Sequence, residues 1–169
     1  MKNENNLELK YRSTITLTKK TKSRYYLKTI ILVLLLLWLI IVFSLTVFGR
    51  QPFEGQHFQP EVFWSYRSAQ LKEAWFVRQI IGNVAMYIPF GFIFPFLFKD
   101  KLDGWKVFVI TLLAGIVISF CTESIQYIFK IGLFEFDDII HNALGTVIGF
   151  LLSRIAVGFI KYDKGMFRV

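Results

Sequence analysis

The chain has 169 residues, enough for one domain, and 54% of them are hydrophobic, with phenylalanine at 19 positions. That is too apolar for an ordinary soluble domain of this length. The formal charge is +8, but the Lys and Arg residues flank hydrophobic runs, so the partners implied are anionic membrane lipids and not nucleic acid.

Residues 1–27 are polar and basic, with Lys2, Lys10, Arg12, Lys19, Lys20, Lys22 and Arg24 against Glu4 and Glu8. They read as a cytoplasmic tail, mostly disordered. Residues 28–48 carry no charge after Lys28. A bilayer core of ~30 Å needs ~20 apolar residues at the helical rise, so this run makes a first transmembrane helix. It is too long for a signal-peptide core, and no small-residue cleavage site follows.

Residues 49–79 form an external loop, opened by the turn residues Gly49, Pro52, Gly55 and Pro60. Its second half mixes Trp64, Tyr66, Trp75 and Phe76 with Arg67, Lys72, Glu73 and Arg78. Rings among charges suit a helix lying at the membrane–water interface, and a plain connecting loop packed on the bundle is the equal alternative. His57 has no metal-ligand spacing around it and reads as an exposed loop residue.

Residues 80–160 hold three more spans. The second runs from Ile80 to Phe98, where Pro89, Gly91 and Pro95 predict a bend and Asn83 needs polar partners. The third runs from Trp105 to Phe129, with the lone Cys121 read as a small packing residue. A short turn, Lys130 to Glu135, leads to the fourth span from Asp137 to Ile160, and residues 161–169 are a cytoplasmic tail. The expected fold is therefore all-α: an integral membrane protein of four transmembrane helices. With both termini in the cytoplasm, fifteen Lys and Arg lie inside and five outside, the orientation that the positive-inside rule selects.

In that frame Asn83, Glu123, Gln126, Asp137, Asp138, His141 and Asn142 all fall in the outer half of the bilayer. Glu123 and Gln126 are three apart on one helical face, and Asp138, Asn142, Gly145 and Gly149 make one stripe. Gly145 and Gly149 form a G-x-x-x-G pair that admits a neighbouring backbone. A structural clamp is the plain alternative, with Glu123 bonded to Asn142 or paired with Arg67 or Arg78. Interhelical polar bonds average only ~0.6 kcal/mol, whereas an Asp at mid-span costs ~2.5 kcal/mol or more. Seven polar residues at one depth favour a ligand-binding pocket. One of Asp137 and Asp138 is also explained as a helix cap. No metal-ligand spacing, nucleophile elbow or phosphate loop is present, so no metal, cofactor or catalytic residue is assigned.

The order Asn83, Pro89-Phe90-Gly91, Glu123, Gln126, Asp137-Asp138, Asn142, Gly145, Gly149 resembles the VanZ-like family of bacterial cell-envelope membrane proteins. The resemblance covers Ile80 to Leu152 and leaves the tail and first helix outside. Where the family pattern often has Arg before the Asp pair, Gly132 stands here. The resemblance implies a Gram-positive cell-membrane protein that lowers susceptibility to teicoplanin-type lipophilic glycopeptides. The alternative is an enzyme or carrier acting on a lipid-linked envelope precursor through Glu123 and Asp138, and a third reading is an assembly partner in a larger complex.

Overall fold

The computed structural model describes residues 2–48, 52, 54–55, 58–64, 66–67, 74–98 and 102–166. Helix α1 spans Lys2–Phe43 and continues as a π turn through Ser44–Phe48; α2 spans Ala74–Ile93 and tightens into a 3-10 turn over Phe94–Phe98; α3 spans Gly104–Ile128; α4 spans Phe136–Met166. Two short strands, β1 (Phe58–Gln59) and β2 (Phe134–Glu135), pair in parallel, Phe58 with Phe134 and Gln59 with Glu135. Among the described residues, four stretches are long and apolar enough to cross a membrane: Thr21–Phe48, Val77–Phe98, Gly104–Ile128 and Phe136–Gly158.

The distribution of polarity fits lipid as the surrounding solvent. Leu32, Leu36, Leu113, Val117, Phe120, Leu144 and Leu151 are exposed, while Glu123, Gln126, Glu135, Asp137, Asp138, His141 and Asn142 are buried. A protein folded in water would invert this arrangement. Most buried hydroxyls are satisfied within their own helix: Thr111 donates to the Val107 carbonyl, Thr122 to Ile118 and Thr146 to Asn142. Such back-bonds hide a hydroxyl without needing a second helix.

Helix α2 runs parallel to α4. Val84 lies against Gly145 and Ile88 against Gly149, so both chains advance together, and Gly91 lies against Thr146. A Cβ on Gly145 or Gly149 would strike the carbonyl oxygen of Val84 or Ile88, so these backbones touch only because both positions lack side chains. Helix α3 is antiparallel to α4, with Ser119 beside Asn142 and Gly115 beside Thr146. Helix α1 joins through Trp38, whose ring meets Tyr87 edge-on at 5.3 Å and stacks on Phe90 at 4.8 Å. Its indole N–H also donates to the Met86 carbonyl at 2.8 Å.

Several expectations are corrected. The tail is helical and continuous with the first span; nothing from Lys2 to Phe48 is Gly or Pro, so the span nucleates a helix that propagates into polar sequence. The second helix extends back beyond its membrane-length stretch, Val77–Phe98, to Ala74, and the fourth extends past its own, Phe136–Gly158, to Met166. Helix α2 stays α-helical through Pro89 to Ile93 and tightens around Pro95. Cys121 is exposed, because the inward stripe of α3 is Ser119, Thr122, Glu123 and Gln126. His57 and residues 68–73, with Lys72 and Glu73, lie outside the described residues.

Candidate functional site

At the end of the bundle where α3 stops and α4 begins, the chain closes tightly. Lys130 adopts φ 53, Ile131 N–H donates to the Gln126 carbonyl at 3.0 Å and Lys130 N–H to Tyr127 at 3.2 Å. This is a Schellman closure with lysine where glycine is usual. It turns the chain straight into β2, so Glu135 folds back over α3. The Glu135 backbone N–H donates to Glu123 Oε2 at 3.2 Å.

A second segment descends from the loop between the first two spans. Phe63 sits at φ 64, a left-handed conformation that a bulky residue adopts only when held. The holder is Asp137, whose carboxylate accepts from Phe63 N–H at 2.5 Å. Trp64 Nε1 then donates to Glu135 Oε2 at 3.1 Å, and Gln79 Nε2 lies 3.4 Å from Glu135 Oε1. Tyr66 places its hydroxyl 3.0 Å from His141 Nε2. Of the two readings of this segment, a helix at the interface or a loop packed on the bundle, the described residues Trp64 and Tyr66 follow the second, meeting the buried Glu135 and His141. Arg67 pairs with Glu61 and not with Glu123.

The seven expected site residues are at this one end. Glu123, Gln126, Asp137, Asp138, His141 and Asn142 are all buried. Asn83 is half-buried, on α2 one residue before the Val84–Gly145 contact. Asn142 bonds Ser119 Oγ at 2.8 Å, the place expected for Glu123. Residues not singled out from the sequence complete the cluster: Glu135, Ser119, Tyr87, and from the loop Trp64 and Tyr66. Ser119 was legible, four residues before Glu123 on the same stripe. Tyr66 and Trp64 were not, since each meets a partner more than seventy residues away.

Among the described residues, five buried side-chain atoms have no hydrogen-bond partner: Asn83 Nδ2, Tyr87 Oη, Asp138 Oδ1, His141 Nδ1 and Asn142 Oδ1. Asp138 Oδ1 and His141 Nδ1 face each other across 4.0 Å, too far for a direct hydrogen bond. Each unsatisfied buried group costs ~1–3 kcal/mol. Glu135 has its pKa pushed up to about 7, first by burial and then by the nearby Asp138 charge. Its donors, Trp64 and Gln79, are neutral. Among the described residues no three of His, Cys, Asp and Glu are grouped to hold a metal. Beside the cluster, a cavity of about 450 Å3 is lined by Phe58, Ser124, Tyr127, Ile128 and Phe134.

The family model described as VanZ/LLP1 matches residues 29–157, the whole membrane bundle with every residue of the cluster. The chain belongs to the VanZ/LLP1 family. The match takes in the first span, which the sequence resemblance had left outside. Within this family the chain is similar to protein VanZ of Enterococcus faecium, 32% identical over 87 residues, covering 52% of this chain and 51% of that protein. The chain thus spans about half the length of the curated relative it matches. No solved structure matches.

Proposed function

We propose that this VanZ-family membrane protein acts in the bacterial cell envelope, taking a polar group of an envelope molecule into the outer-leaflet end of its bundle. Binding there lowers susceptibility to teicoplanin-type lipophilic glycopeptides. One observation carries the reading: buried polar atoms from α2 and α4 converge without partners, while hydroxyls elsewhere in the bundle bond within their own helices. A clamp gains nothing from orphaned atoms; a binding site needs them. The test is expression in a susceptible Gram-positive cell. The inhibitory concentration of teicoplanin should rise severalfold, that of vancomycin less, and Asp138→Asn should abolish the rise at unchanged protein level. Equal shifts for both antibiotics, or full protection by the variant, refute it.

A second reading, a membrane enzyme or carrier for a lipid-linked envelope precursor, draws on the run Tyr66–His141–Asp138. A half-exposed hydroxyl backed by a buried imidazole and a buried carboxylate is equipped to move a proton. Turnover or movement of such a lipid by purified protein, lost in His141→Ala, would favour it.

A further inference from the structure

The orphaned atoms of α4 share a chemical sign. Asp138 Oδ1 and Asn142 Oδ1 are acceptors four residues apart, and His141 lies between them on the same face. Where His141 Nε2–H donates to the Tyr66 hydroxyl, Nδ1 is an acceptor as well. All three residues are more than nine-tenths buried. With Asn83 Nδ2 the one obligate donor among the unpartnered atoms and Tyr87 Oη able to accept as well as donate, acceptors are in the majority, which calls for a donor-rich guest. Water brings donors and acceptors in equal number; a primary ammonium brings three donors and no acceptor. The 4.0 Å between Asp138 Oδ1 and His141 Nδ1 is a gap that one nitrogen bridges with two bonds of ~2.8 Å.

The surroundings favour a cation. Glu135 is buried with only the neutral donors Trp64 and Gln79 upon its carboxylate, and its pKa is raised first by that burial and then by the Asp138 charge. The apolar groove opens at the same end of the bundle, outside the cluster, where Ser124 and Phe134 are the chain neighbours of Glu123 and Glu135 and point away from them. Two of its walls, Tyr127 and Ile128, are exposed at the end of a membrane-spanning helix, so an acyl chain reaches it from the bilayer. Arg78 and Lys130, both exposed at this end, are placed to meet a headgroup phosphate.

Building on the function proposed above, we infer that the site binds a lipid whose headgroup carries a primary ammonium. The ammonium sits among Asp138, His141 and Asn142, and an acyl chain lies in the groove between Phe58 and Phe134. A trimethylated ammonium has no N–H to offer and does not fit.

The test uses the full chain, purified and delipidated in detergent. It is titrated with phosphatidylethanolamine, with phosphatidylcholine of the same acyl chains, and with water-soluble glycerophosphoethanolamine, following bound lipid by native mass spectrometry. Phosphatidylethanolamine should bind at least tenfold more tightly than either. Asp138→Asn should erase the preference for the primary ammonium; if that variant does not fold, Ser124→Phe, which narrows the groove, should weaken the same lipid tenfold. Equal binding of the two phospholipids overturns the ammonium assignment, and equal binding of the soluble headgroup overturns the acyl groove. Unchanged binding in the folded variants overturns both. The readout is separate from antibiotic susceptibility, so lipid selectivity without protection would sink the resistance reading and leave this inference standing.

Discussion

Helix α4 has two halves that solve opposite problems. Its middle, at Gly145 and Gly149, meets α2 backbone to backbone, with no side chain between. Its beginning, from Asp137 to Asn142, is crowded with side chains that bond the loop after the first span and α3, and still leaves atoms unmatched. The first contact is saturated and leaves no gap to fill. The second is held open at a cost in stability that the tight seam below offsets. A membrane bundle lacks a hydrophobic drive between helices, so close packing in one half is what lets the other half stay polar.

The sharpest way to break this contrast is to put a side chain into the seam. Gly145→Val must push α2 away from α4, and overpacking costs ~1–3 kcal/mol even where the surroundings yield. The expected result is loss of most folded protein in detergent extracts, whereas Gly82→Ala, with nothing near its Cβ, should accumulate normally. Equal yields would show that the seam does not hold the bundle together.

A smaller effect separates the polar end by pH. The pKa of Glu135 rises from 4.5 to about 7 on folding. Between these values the folded chain keeps a proton that the unfolded chain has released, so stability falls as pH rises through the window. Glu135→Gln should flatten that part of the profile in thermal unfolding. An unchanged slope in the variant would place the titration elsewhere.

The smallest effect belongs to the Asn142–Ser119 bond. Replacing Asn142 by Ala removes one interhelical hydrogen bond, worth ~0.6 kcal/mol on average, and one unmatched acceptor. Unfolding in a denaturing detergent should move only slightly. A large loss would mean that Asn142 serves the fold as a staple.

The spans were legible because an apolar run of membrane length has few other uses, and the stripe Asp138–Asn142–Gly145–Gly149 because helical spacing put it on one face. Glu135 was passed over as a turn residue; only its pairing with a distant strand buries it. Trp64 and Tyr66 gave an interfacial pattern, rings among charges, but that pattern records composition and not direction. Their partners, Glu135 and His141, lie far along the chain, and no local period encodes such a contact. The helical tail was misjudged for a related reason: its polar residues favour disorder taken alone, yet they continue a helix already started by the span.

Trp38 adds a mechanical consequence. It leans on Tyr87, one of the cluster's unsatisfied residues, and from there α1 runs unbroken back to Lys2. At ~1.5 Å per residue that arm is ~50 Å long. A tilt of ~10° where the indole rests would swing the far end by ~9 Å by simple leverage on that rise. Repacking around one ring within the bilayer would thus be magnified into a displacement that a spectroscopic label near the start of the chain can register.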